Sequence, residues 1–232
     1  TATIDAHVKH ADLILVSHSH FNHCMDMPYI ARKTGALVIG TASTANVARA
    51  GGVAEEQLIT VRGGEDYEFG GLSVRVIPSL HSAMNGKRYF NAALIPRDVK
   101  APLRLRDYVE GGTLAYLIRF GGQQILAFCS MNYIEREVTG LRPDVALIPA
   151  ARPRLEIHDY TGRLMRALGL PRTVILTHWD TQSTPYRVAQ DAELAQAESF
   201  VSEVKAASPK TRVIIPRHFE TIVLDRKGTP KK

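Results

Sequence analysis

The residues of this chain with the clearest chemical meaning are three histidines in the string Leu13-Ile14-Leu15-Val16-Ser17-His18-Ser19-His20-Phe21-Asn22-His23. The apolar run Leu13–Val16 reads as a buried strand. Side chains two apart in extended chain share a face, so His18 and His20 point together. A bend toward a helix at Asn22 swings His23 back to the same point. Neutral imidazoles converging at a strand exit suit a metal ion, zinc first among them, with other divalent metals open. The alternative is a solvated, histidine-rich turn. Burial of the strand just ahead of the cluster argues against it, because it restricts where the rings can go.

Other strand exits carry residues of the same kind. Leu72–Ile77 reads as a strand running through Pro78 toward His81, and Gln123–Cys129 leads into Ser130. Thr173–Thr177 delivers His178. Strand ends along one edge of a sheet are where α/β folds assemble sites.

The elements that must position these residues alternate along the chain. Helices are expected over Met25–Lys33, with Pro28 in the first turn and Gly35 past the end, and over Thr41–Ala50. Short strands are expected over Ala36–Ile39, Gln57–Val61 and Asp66–Phe69. A hairpin over Thr113–Phe120 and Gln123–Cys129 turns at Gly121-Gly122. Then come a helical turn at Glu135–Gly140, a strand at Val145–Pro149, and helices over His158–Leu168 and Val188–Ala207. Strands at Arg212–Ile215 and Thr221–Leu224 close the chain. A hairpin-rich first half followed by strand–helix alternation predicts two sheets packed together with helices outside.

At 232 residues, 45% hydrophobic and 22% charged, this is ordinary globular composition and enough chain for one domain over residues 1–232. The two cysteines, Cys24 and Cys129, fit a reducing compartment, which points to the cytoplasm. No apolar run has membrane-spanning length and no signal-peptide pattern opens the chain. The net charge of +6 suits an anionic small molecule. Part of it comes from the tail from Arg226 to Lys232, which reads as a solvated end. The basic residues are scattered and no inserted clamping domain is visible, which disfavours nucleic acid as a partner.

With these residues in place the chain resembles the metallo-β-lactamase superfamily. The usual first motif there is His-x-His-x-Asp-His, and here it reads His18-Ser19-His20-Phe21-Asn22-His23. His81 and His178 resemble the later motif histidines. The resemblance runs from Ala11 to about His218. It implies an α/β, four-layer αββα sandwich, and a hydrolase whose metal ligands are His18, His20, His23, His81 and His178. Only about ten residues precede the first motif, so it also implies that the fold's N-terminal hairpin is missing or supplied some other way. Two acidic ligands are replaced. Asn22 stands in the place of the motif aspartate, and Ser130, in Phe128-Cys129-Ser130-Met131, in that of the bridging aspartate.

Those replacements remove two negative charges from a centre that would hold two dications, and uncompensated charge between close metals is costly. One ion is therefore expected to bind firmly at His18, His20 and His81. A second, at His23, His178 and Asn22, would bind weakly or not at all. Cys129 could take the place of Ser130 under a one-residue shift of register, as a thiolate ligand, or be a small buried apolar group. Asn22, Asp26 and Ser130 are the candidate catalytic residues. Asp26 would act as general base or stabilise a helix start, and Asp180 would be a base or orient an imidazole.

The stretch Ser82–Gly112 reads as a long loop rich in basic and aromatic residues. Lys87, Arg88 and Tyr89 are its candidate substrate-binding residues, suited to a phosphate or carboxylate beside an apolar group. The expected activity is hydrolysis of an ester, lactone or phosphodiester of a small anionic substrate by a metal-bound hydroxide. The alternatives are a nuclease-type member of the superfamily and a catalytically inactive, metal-binding descendant.

Overall fold

A computed structural model describes every residue except Asn85, Gln182, Lys231 and Lys232. The last two, part of the expected solvated tail, therefore lie outside the described residues. The chain divides into two units, Thr1–Gly63 with Phe90–Leu114, and Gly64–Tyr89 with Ala115–Lys232.

The first unit runs α1 (Ala2–His7), β1 (Leu13–Leu15), α2 (Phe21–Cys24), α3 (Met27–Thr34), β2 (Leu37–Gly40), α4 (Ala42–Ala50) and β3 (Leu58–Thr60). The strands form a parallel sheet in the order β1-β2-β3, with Leu13 opposite Leu37 and Val38 opposite Leu58. Parallel neighbours need crossovers, and α3 and α4 supply them. Pro28 sits in the first turn of α3, and Gly35 ends that helix in the left-handed region at φ 77°. Thr41 caps α4 by accepting the N–H of Thr44. Val16, Met27, Ala31, Val38 and Val47 form the core, joined by Ile95 and Val109 from the later segment. That segment is pinned where Ile95 donates its N–H to Ser43 Oγ (3.0 Å) and accepts from Asn46 Nδ2 (2.8 Å).

Gly111 closes this unit tightly. Its φ is +69°, and a Cβ there would collide with Ser19 Oγ and Ser43 Cβ. Gly111→Ala combines left-handed strain with overpacking and is expected to cost about 2–4 kcal/mol in urea unfolding. Gly35→Ala, whose Cβ meets nothing within 4 Å, carries the strain alone and should cost roughly half as much.

The second unit contains β4 (Asp66–Glu68), β5 (Leu72–Pro78), β6 (Ala83–Met84), β7 (Arg88–Tyr89), β8 (Leu114–Phe120), β9 (Gln123–Ala127), α5 (Glu135–Val138), β10 (Val145–Pro149), α6 (Tyr160–Ala167), β11 (Thr173–Thr177), α7 (Asp191–Ala207) and β12 (Arg212–Ile214). Its seven-stranded sheet has the order β12-β11-β10-β9-β8-β5-β4, parallel from β9 to β12 and antiparallel within β4–β5 and β8–β9. Leu117, Leu126, Ile148 and Leu176 of the sheet pack with Leu164 and Met165 of α6 and Phe200 of α7. Along α7 the buried residues are Ala197, Phe200 and Val204, the spacing of one helical face.

The α/β class is as expected, and the strands and helices fall within a few residues of their predicted bounds. Three expectations are corrected. The first half is built of hairpins only in part, since β4–β5 and β6–β7 are antiparallel but β1, β2 and β3 are parallel and joined by helices. Thr221–Leu224 forms no strand; Leu224 makes an isolated bridge to Pro230. And α1, whose sequence is too polar to read as an element, is helical with no buried residue. Among the described residues no helix is long and apolar enough to cross a membrane.

Candidate metal centre

β1 ends at Leu15, and other parts of the first unit take the backbone bonds of the residues that follow. Val16 donates to Ile39 O, Ser17 O accepts from Leu114 N, and Ser19 N donates to Glu110 O. The Ser19 hydroxyl donates to Val109 O at 2.6 Å. His20 then becomes the N-cap of α2, and His23 N reaches back to His20 O at 3.0 Å. The result is the gathering that the spacing predicts. The His18 ring centroid lies 5.0 Å from that of His20 and 4.0 Å from that of His23. His18 and His20 are buried. Nδ1 of His18 is 2.9 Å from the Ser17 hydroxyl, the kind of neighbour that orients a ligating imidazole.

Asn22 is exposed on α2, and Asp26 is exposed at the N-cap of α3 without a side-chain capping bond. Cys24 is buried and burial pushes its thiol up to about 12, so it behaves as a small apolar group. Phe90 is a residue that the sequence singled out only as one aromatic among several. Its ring stands 5.6 Å from His20 while remaining 60% exposed, an apolar face beside an imidazole.

In the second unit, His81 is buried after β5, its Nδ1 3.1 Å from Ser82 O. His178 follows β11 in the left-handed region at φ 50°, a strained conformation for a residue with a Cβ. Burial holds its pKa below the usual histidine value, against the opposing charge of Asp180. The ring is thus neutral near pH 7, the form that ligates metals. Asp180 itself lies 3.0 Å from His218 Nε2, so the imidazole it orients is that of His218. Ser130 is buried against Ser82, at 2.7 Å between hydroxyl oxygens. Lys87 donates to Glu156 at 3.2 Å, and Arg88 and Tyr89 form β7 on an exposed two-stranded ribbon. The expected long loop is therefore divided. Lys87, Arg88 and Tyr89 belong to the second unit and residues 90–112 to the first.

Ser82 and Asn132 are site neighbours that pattern reading missed. Neither has a periodic or spaced signal; each matters through a hydrogen bond to a residue about fifty positions away.

Comparison with known proteins follows the same lines. The family model described as beta-lactamase superfamily domain matches residues 2–179. A UPF0173 metal-dependent hydrolase of Staphylococcus aureus strain JH9 is 32% identical, with 85% of this chain aligned to 80% of that protein. One from Thermoplasma volcanium is 23% identical, over 96% of this chain and 86% of its own length. In fold, the chain is similar to the metallo-beta-lactamase fold protein YhfI from Bacillus subtilis. The TM-score is 0.55 at 12% identity, covering 89% of this chain and 74% of that one.

Proposed function

We propose, for a chain that belongs to the beta-lactamase superfamily and within it to the UPF0173 metal-dependent hydrolases, that it hydrolyses an ester, lactone or phosphodiester of a small anionic substrate. The observation that carries this reading is the close approach of the His18 ring to those of His20 and His23. The donor set fits a divalent ion of borderline softness. Each ring offers one nitrogen, and neutral nitrogen donors without thiolates or paired carboxylates suit zinc.

We assign one firmly held zinc to His18, His20 and His81. We assign His23, His178 and Asn22 to a second position that, with no carboxylate, would bind an ion weakly or not at all. Held by His18, His20 and His81, zinc would supply Lewis acidity to activate water near neutral pH and polarise the scissile group. The chain's own residues do the rest. Ser17 orients the His18 ring, and the buried setting of His178 keeps its imidazole uncharged. Asp26 is assigned to proton transfer, because it is exposed without a capping bond, whereas Asp180 is engaged by His218. Asn22, neutral and exposed, is assigned to hydrogen-bonding the substrate. Lys87, Arg88 and Tyr89 are assigned to its anionic group, and Phe90 to an apolar group beside it.

The test is hydrolysis of a chromogenic carboxylic ester, a lactone and a bis-aryl phosphodiester by the purified full chain, with and without a chelator. Turnover of at least one that is lost on chelation and restored by zinc is expected. Turnover indifferent to chelation refutes the metal mechanism. Exchange of Arg88 for alanine should raise KM for the anionic substrate several-fold with little change in kcat, the mark of lost uniform binding.

A further inference from the structure

The imidazole of His81 is held by a brace of hydroxyl and amide groups. Nδ1 of His81 lies 3.1 Å from Ser82 O. A carbonyl oxygen only accepts, so this bond puts the proton on Nδ1 and the lone pair on Nε2. Ser82 is in turn fixed by the segment that follows β9. Its N–H donates to Ser130 Oγ at 2.8 Å, and the two hydroxyl oxygens stand 2.7 Å apart. Its own oxygen accepts the N–H of Met131 at 3.1 Å. One residue further, Asn132 Nδ2 donates to His81 O at 3.3 Å and Asn132 Oδ1 accepts the N–H of Tyr133 at 2.9 Å.

Ser82 Oγ has the thioether of Met131 at 3.9 Å as one acceptor open to its proton. Either hydroxyl can donate in the 2.7 Å bond between them, and Ser130 Oγ accepts the Ser82 N–H in both arrangements. Ser130 Oγ is thus bonded twice to the residue whose carbonyl receives the His81 proton. Ser82, Ser130 and His81 are all buried, so water competes poorly for these bonds.

We propose that Ser130 is a positioning residue: through Ser82 it fixes the tautomer and ring direction of His81, and thereby the nitrogen that His81 presents to a metal ion. This rests on the assignment of His81 as a ligand. It gives Ser130 a role that needs no contact with metal or substrate. Removing a hydrogen-bond partner behind a ligating histidine typically costs about 10- to 100-fold in metal affinity.

The experiment titrates Co2+ into the metal-free full chain and follows its absorption bands, for the wild type and for Ser130→Ala, Ser130→Thr and His81→Ala. Ser130→Ala should weaken Co2+ binding about 10- to 100-fold and shift the bands. Ser130→Thr, which keeps the hydroxyl, should restore most of both. Wild-type affinity and bands in Ser130→Ala overturn the proposal. His81→Ala decides the underlying assignment separately: unchanged Co2+ affinity there removes His81 from the ligand set whatever Ser130 does. A nitrogen-15 NMR spectrum of the metal-free wild type requires no variant, and so decides even where Ser130→Ala does not fold. The Nδ1–H tautomer of His81 is expected, and the Nε2–H tautomer overturns the proposal.

Discussion

Replacing His18 by alanine abolishes tight binding of a divalent ion and lowers chelator-sensitive hydrolysis at least a thousandfold, about 4 kcal/mol of transition-state stabilisation. His18 is the shared neighbour in the cluster, within 5.0 Å of the His20 ring and 4.0 Å of the His23 ring. It is also 1% exposed, so a second explanation competes: a histidine that merely packs. The two separate cleanly on metal-linked stability. A metal that binds only the folded state at a thousand times its Kd adds about 4 kcal/mol of stability. The wild type should therefore melt higher with zinc than without, and His18→Ala should show no such increment. If the variant melts lower without metal but keeps the full zinc increment, His18 is a packing residue and the ligand assignment fails. His10, exposed and 3.1 Å from Asp12, is the control. His10→Ala should change neither melting temperature nor zinc increment.

What the sequence made legible follows from the range of the interactions involved. β11 lies at Thr173–Thr177 as predicted, because four of its five residues are apolar or small enough to be buried in the sheet. α3 ends at Gly35 for a purely local reason, the left-handed turn that glycine tolerates best. His18, His20 and His23 were legible because a strand exit followed by one helical turn is also local. The parallel pairing of β1, β2 and β3 was not, since pairing direction depends on where a crossover helix returns the chain. Thr221–Leu224 has the residue types of a strand, but residue type does not supply a neighbour to pair with. The Ser82–Ser130 brace joins residues 48 apart, and two serines leave no periodic trace. The basic and aromatic stretch after His81 was legible as a composition, but not in its division at Tyr89 and Phe90 between two units.

The largest stability effect is expected at a pair outside the candidate centre, Arg154 and Glu203. Arg154 follows β10 and is 2% exposed. Its NH2 donates to Glu203 Oε1 at 2.7 Å, its NH1 to Ala150 O at 2.7 Å, and its guanidinium lies 5.5 Å from the Phe200 ring centroid. Glu203 also accepts the Thr161 hydroxyl at 2.6 Å. Breaking a buried pair costs most when it leaves an uncompensated charge away from water. Glu203→Ala strands the guanidinium and should cost about 3–5 kcal/mol, a fall in melting temperature on the order of 10 °C. Arg154→Ala leaves a carboxylate whose side chain is 31% exposed. Water can reach that group, so the loss should be smaller. The pair replaced together, as Arg154→Met with Glu203→Leu, should recover most of the stability. A pH series supplies the sign. Burial pushes the Glu203 carboxyl up, but its bonds to Arg154 and Thr161 pull it further down, for a net value below the usual carboxylate range. A depressed carboxyl stabilises fully above its unfolded pKa of about 4.3, and that contribution is lost as pH falls through the folded value. The gap between wild type and Glu203→Ala should therefore be widest near pH 7 and shrink on acidification below about pH 4. A gap that is constant with pH, or a Glu203→Ala loss under about 1 kcal/mol, would mean that water already reaches the guanidinium, and the buried-charge argument would fall with it.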